Sequence, residues 1–164
     1  MEVIMKLKYA VLSSLVAFPF FAAAAGSGTA TINVTADVNS AVAMVSESNG
    51  SLTDIPLSFV PGQGLQAGTE MVRLASNDTQ HGVDVSLANA MQLTNAADAS
   101  TVPMTITLAG KTLSTTKTSY AKTLFTNGET SPMQLAVKPT GDTKTLTAGH
   151  YSGIINLVLA QSTI

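Results

Sequence analysis

Residues 29–39 read Thr-Ala-Thr-Ile-Asn-Val-Thr-Ala-Asp-Val-Asn. Ala30, Ile32, Val34, Ala36 and Val38 share one parity, and Thr31, Asn33, Thr35, Asp37 and Asn39 share the other. Side chains alternate between the faces of a strand, so this stretch has one apolar and one hydrophilic face. Its Thr, Val and Ile content suits a pleated backbone. Two readings fit the pattern. The stretch is either the first strand of the protein's own sheet or a detached strand that completes the sheet of another molecule.

What precedes it bears on that choice. Lys6 and Lys8 make a positive start, residues 9–21 an apolar run, and residues 22–25 four alanines. The order is that of a secretory signal peptide, and the apolar run is too short for a membrane span. Met5 offers an alternative start, since Met5-Lys6-Leu7-Lys8 is the more usual opening of such a segment. Cleavage is expected at about residues 24–25, so the expected organisation is a signal segment over 1–25, an extension over 26–39 and one domain over 40–164. The alternating stretch then lies at the new amino terminus, behind a short Gly-Ser-Gly lead.

The composition limits the chemistry. Removing Lys6, Lys8 and Glu2 from eight basic and ten acidic residues leaves six against nine, a net charge of −3. There is no basic block and aromatics are 5% of the chain, so nucleic acid and anionic membranes are poor partners. Charged residues make up only 11%. A polar but uncharged surface suits packing against many copies of itself better than it suits solubility alone. Cysteine is absent, which removes disulfides, thiol catalysis and zinc–thiolate sites.

Beyond residue 40 the chain alternates in short segments between turn residues, with no sustained helical period. Ile55, Leu57 and Phe59 alternate around Pro56, which places that segment at an edge or a strand end. Val72 and Leu74 flank Arg73, and Val83, Val85 and Leu87 alternate with Asp84 and Ser86. Met104, Ile106 and Leu108 form a further row that turns through Ala109-Gly110, and Met133, Leu135 and Val137 form another. Residues 150–160 are the most apolar, with Tyr151, Ile155, Leu157 and Leu159 on one parity and Ile154 and Val158 on the other. They are expected to form a central strand buried on both faces. Seven or more such strands predict an all-β sandwich, with a closed barrel as the alternative.

No catalytic grouping emerges. His81 lies in a polar loop and His150 opens the last apolar segment, too few for a metal site without distant carboxylates. Gly62, Gly64 and Gly68 have the wrong spacing for dinucleotide binding, and no helix follows them. The expectation is no catalytic residue, no metal and no cofactor. A small secreted β-sandwich enzyme is the reading this disfavours.

Four stretches resemble one family. Leu146-Thr147-Ala148-Gly149-His150-Tyr151-Ser152-Gly153-Ile154-Ile155 is similar to the carboxy-terminal signature of the alpha-class chaperone–usher fimbriae, the colonisation factor antigen type of major pilin. Gly110-Lys111-Thr112-Leu113-Ser114-Thr115-Thr116 resembles a second stretch of that family. Ser76-Asn77-Asp78 followed by Gly82-Val83-Asp84-Val85-Ser86-Leu87 resembles a third. Residues 32–38 are similar to the family's donor strand, although Asn39-Ser40 stands where Asp-Pro is usual.

The resemblance implies an incomplete immunoglobulin-like β-sandwich that lacks one strand. A periplasmic chaperone fills the gap first, and the amino-terminal extension of the next protomer replaces it at an outer-membrane usher. On that footing Ala30, Ile32, Val34, Ala36 and Val38 are the donor residues, and the acceptor groove is expected against Ile155, Leu157 and Leu159. Implied partners are other copies of the chain, the chaperone, the usher and a tip adhesin, with room for a host receptor. The implied location is a fimbria on the cell surface, reached through the periplasm. A single-domain adhesive pilin that binds a host glycan or protein through its loops is the alternative function.

Overall fold

The computed structural model of the chain describes residues 34–36 and 41–163. It divides after Ala36 into two compact units. In the first, residues 34–36 carry no strand and are exposed, Val34 to 88%.

The second unit is built from β1 (Val42–Ser46), β2 (Phe59–Val60), β3 (Gly64–Leu65), β4 (Gly68–Ser76), β5 (Val83–Leu87), β6 (Gln92–Asn95) and β7 (Thr101–Leu108). It continues with β8 (Lys111–Leu113), β9 (Thr118–Tyr120), a 3₁₀ turn over Lys122–Leu124, β10 (Phe125–Thr126), β11 (Glu129–Thr130), β12 (Met133–Pro139), β13 (Tyr151–Ser152) and β14 (Leu157–Gln161). The larger sheet runs β10-β11-β4-β12-β7-β6-β13, with β1 also on β4 and β8 on β7. The smaller runs β14-β5-β9, and β2 pairs with β3. Every pairing is antiparallel. The result is an all-β sandwich of the immunoglobulin-like kind.

Alternation in the sequence becomes alternation in burial. In β7, Val102, Met104, Ile106 and Leu108 are buried while Thr101 and Pro103 face solvent. Val72 and Leu74 of β4 and Leu135 and Val137 of β12 add to the same face of the larger sheet. Val83, Val85 and Leu87 of β5 and Tyr120 of β9 meet them from the smaller one. Such interdigitation of two inner faces is what stabilises a sandwich.

The last apolar segment differs from expectation. It is not one central strand. Tyr151 and Ser152 pair with Asn95 and Thr94 in the larger sheet, whereas Leu157–Gln161 pairs with β5 in the smaller. Between them the chain crosses from sheet to sheet. Among the described residues β14 is the edge of its sheet, with Val158 48% exposed, and Ile154 in the crossing before it is 76% exposed. The strand buried on both faces is β5, all five of whose residues are buried. Its Asp84 is accommodated because Ser119 Oγ donates to it at 2.6 Å and Lys117 Nζ lies 3.8 Å away.

β6, β9, β10 and β11 are short strands in stretches outside the alternating rows. The β10–β11 hairpin does carry a local signal. Asn127 and Gly128 have φ of 53° and 85°, the pair of positive values a two-residue type I′ turn requires. Ala109 and Gly110, at 50° and 78°, join β7 to β8 in the same manner.

Candidate functional site

Where the chain crosses between sheets, the sandwich is left open. A groove of about 1020 Å³ runs there, lined by core side chains Leu93 of β6 and Leu135 and Val137 of β12. Ile55 and Leu57 line it from the segment before β2, and Ile155 and Leu157 from the segment entering β14. All four are half-buried and pack against the core. The same lining carries Asp54 and Glu70, whose carboxylate accepts from Thr53 N at 3.0 Å and Thr53 Oγ1 at 3.1 Å.

The main chain along the groove matters as much as its side chains. Residues 51–58 and 153–156 form no strand. Among the described residues, no main-chain group of 54–57 or of 153–155 bonds another main-chain group. Buried or half-buried backbone amides and carbonyls need hydrogen-bond partners, and these segments find none in the main chain of the described residues.

The two segments are nonetheless held in place. Gly68 of β4 lies so close beneath Ile55 and Leu57 that a Cβ there would stand 2.5 Å from each of their side chains. On the other segment, a Cβ on Gly153 would press on the main-chain oxygen of Gln92, and one on Gly149 on the side chain of Asn95. Ala96 N donates to His150 O at 3.0 Å, and Tyr151 Oη donates to Thr147 O at 3.0 Å. Asp98 binds the neighbouring turn, accepting from Ser100 Oγ at 2.6 Å and Ser100 N at 2.9 Å. The Ser100 hydroxyl and amide, with a smaller contribution from Thr147, hold the Asp98 carboxyl below its ordinary value of 3.8.

Among the described residues the remaining polar clusters offer no comparable site. His81 Nδ1 and Asp78 Oδ2 are 2.8 Å apart on an exposed loop. The Gln80 amide first, and His81 second, lower the Asp78 carboxyl. Among the described residues no three His, Cys, Asp or Glu side chains are grouped to hold a metal ion.

Of the residues singled out in the sequence, Ile155 and Leu157 line the groove, whereas Leu159 packs on the core outside its lining. Val34 and Ala36 are exposed in the other unit, and Ala30, Ile32 and Val38 lie outside the described residues. Ile55, Leu57, Leu93, Leu135 and Val137 were not assigned to a groove by the sequence. The interruption of the apolar row by Pro56 was the available hint for the first two.

Comparison with known proteins agrees with this architecture. Residues 29–160 match the family model described as CS1 type fimbrial major subunit. A CFA/I fimbrial protein of Escherichia coli is 26% identical over 166 residues, covering 94% of this chain and 98% of that protein. A CS1 fimbrial protein of Escherichia coli is 28% identical over 171 residues, covering 97% of this chain and 100% of that protein. The solved CooA pilin from enterotoxigenic Escherichia coli superposes with a TM-score of 0.65 at 27% identity, over 74% of this chain and 88% of that one. With the family model spanning most of its length, the chain belongs to the CS1 type fimbrial major subunits, structural pilins rather than enzymes.

Proposed function

We propose that this structural pilin polymerises by giving residues 29–39 of one copy to the groove of the next. The observation that carries the reading is the groove itself, an apolar trough whose two lining segments, over 54–57 and 153–155, take no main-chain partner among the described residues. An inserted strand supplies main-chain hydrogen bonds worth about 0.5–1.5 kcal/mol each. Ile32, Val34 and Val38 each add roughly 1.5–3 kcal/mol where fully buried. Ala30 and Ala36 fill shallower positions. A slip of one residue would turn Asn33 and Thr35 toward the core, so the apolar row selects one register. Ile155 and Leu157, with Ile55 and Leu57, are the acceptor residues in this reading.

A pilin with an open groove exposes apolar surface and unpaired edges before assembly, a liability for aggregation. That supports a periplasmic chaperone as first occupant and an outer-membrane usher as the place of exchange. The assembled product is a surface fimbria that supports attachment, with a tip adhesin at its end. The test is Val34→Asp in cells that also express the cognate chaperone and usher. Filaments should disappear from electron micrographs while the signal segment is still removed, and a normal filament yield would overturn the proposal.

A further inference from the structure

Two Asn-Gly pairs, Asn49-Gly50 and Asn127-Gly128, sit in surface turns under opposite circumstances. Both asparagines are exposed and left-handed, with φ of 60° and 53°. A following glycine has no Cβ to shield its amide nitrogen from the asparagine side chain. Around Asn49 that nitrogen is engaged: the Gly50 amide donates to Ser46 Oγ at 3.0 Å. The same loop is closed by Ser46 N to Gly50 O at 3.1 Å and Asn49 N to Ser46 O at 2.9 Å.

Around Asn127 it is not. Among the described residues the Gly128 amide donates to no main-chain or side-chain acceptor, and the Asn127 side chain engages no group. The hairpin has strands of two residues each. At the turn itself Ser76 N of β4 donates to Gly128 O at 2.8 Å and Glu129 pairs with Ala75, and below the turn Leu74 N donates to Thr130 Oγ1 at 3.1 Å and Arg73 Nη1 to Thr130 O at 3.5 Å. The turn also requires this dipeptide. Gly128 has φ of 85°, and a Cβ there would lie 2.8 Å from Ser76 O. Asparagine is among the few residues that accept the preceding left-handed position.

The geometry points to Asn127 as a site of spontaneous modification in the folded protein, deamidation through a cyclic imide, with Asn49 protected. The Gly128 nitrogen attacks Asn127 Cγ. The N–Cγ bond forms, the Cγ–Nδ2 bond breaks, and ammonia leaves with the proton that Gly128 gives up. Water then opens the imide at Cγ to give aspartate, or at the main-chain carbonyl to give isoaspartate. No electrons are exchanged and water is the sole co-reactant. Either product places a new carboxylate beside Glu129, whose own carboxylate lies 3.9 Å from Arg73. Isoaspartate also lengthens the main chain within a two-residue turn, which displaces Gly128 O from Ser76 N.

Peptide mapping by mass spectrometry tests this on the intact purified protein, aged in mildly alkaline buffer beside a synthetic peptide of residues 124–131. Asn127 should convert on the timescale of that peptide and several-fold faster than Asn49. Ser46→Ala, which frees the Gly50 amide, should raise conversion at Asn49 several-fold and leave Asn127 unchanged. An Asn127 that stays intact while the peptide converts overturns the inference. So does equal conversion at both sites in the unaltered protein, or no acceleration at Asn49 in the Ser46 variant.

Discussion

Tyr120 shows how one side chain joins both layers. It is 1% exposed, and its hydroxyl donates to Leu108 O at 3.0 Å. Lys111 Nζ lies 4.9 Å from the ring centre, within range of a cation–π attraction. Burial pushes the phenol up to about 12 from its ordinary 10.0. The folded state therefore holds that proton more tightly than the unfolded chain. The stability this contributes is complete below pH 10.0 and is lost as pH rises toward about 12. Tyr120→Phe leaves Leu108 O without its donor and should cost about 1 kcal/mol at neutral pH. It should also flatten the alkaline decline, and urea titrations at a series of pH values measure both effects. At Gly153 the constraint is steric. A Cβ would meet the main-chain oxygen of Gln92, which cannot swing aside as a side chain could. Gly153→Ala should lower stability by about 1–3 kcal/mol, read as a fall in melting temperature.

Among elements, the informative contrast is between β5 and β14. Both are apolar on alternate residues, yet among the described residues β5 has a strand on either side and β14 has only β5. Apolar residues on a second face do not make a strand central; hydrogen-bonding partners do. The segments along the groove make the same point from the other side, since Ile55 and Leu57 pack on the core from a stretch, residues 51–58, that forms no strand. If they frame an acceptor, a synthetic peptide of residues 29–39 should bind protein that lacks its own copy of that stretch. The same peptide carrying Val34→Asp should bind about tenfold more weakly or worse, as expected for losing one buried aliphatic contact. Leu57→Asp in the receiving protein should weaken binding while the far-ultraviolet circular dichroism stays that of a β-sandwich. Isothermal titration of the three combinations decides between a real acceptor and a passive cleft.

At the scale of the whole molecule, acid should loosen the fold through two turns at once. Asp78 and Asp98 both hold their protons less tightly folded than unfolded, the first through the Gln80 amide and the second through Ser100. The stability they contribute is present above the ordinary carboxylate value of 3.8 and is lost as pH falls below it. Denaturation midpoints should be level above that value and decline beneath it. Asp98→Asn should remove part of the decline, and hydrogen exchange should locate its effect in residues 95–101 and 147–151. The sandwich depends on pairings between distant parts of the chain, β1 with β4 and β14 with β5 among them. It should therefore fold on the slow side of single domains, in milliseconds to seconds.

The sequence by itself determined the longer alternating strands and which of their faces turns inward. The rows at Val83-Val85-Leu87, Met104-Ile106-Leu108 and Met133-Leu135-Val137 appear in the structure as β5, β7 and β12, each with the expected face buried or half-buried. Alternation is a local property, set by neighbours two residues apart, so it survives without knowledge of the fold. The Asn127-Gly128 turn is equally local, since its dipeptide alone carries the signal. What only the tertiary structure decided was which strand stands at an edge and where the sandwich is left open. The segment over 150–160 looked like one buried strand because both its faces are apolar. In three dimensions its two halves pair with different sheets, and beside the crossing between them runs a groove whose lining includes the buried side chains Leu93, Leu135 and Val137. Hydrophobic periodicity records whether a side chain is turned inward. It does not record which main chain, in this molecule or another, takes the hydrogen bonds alongside.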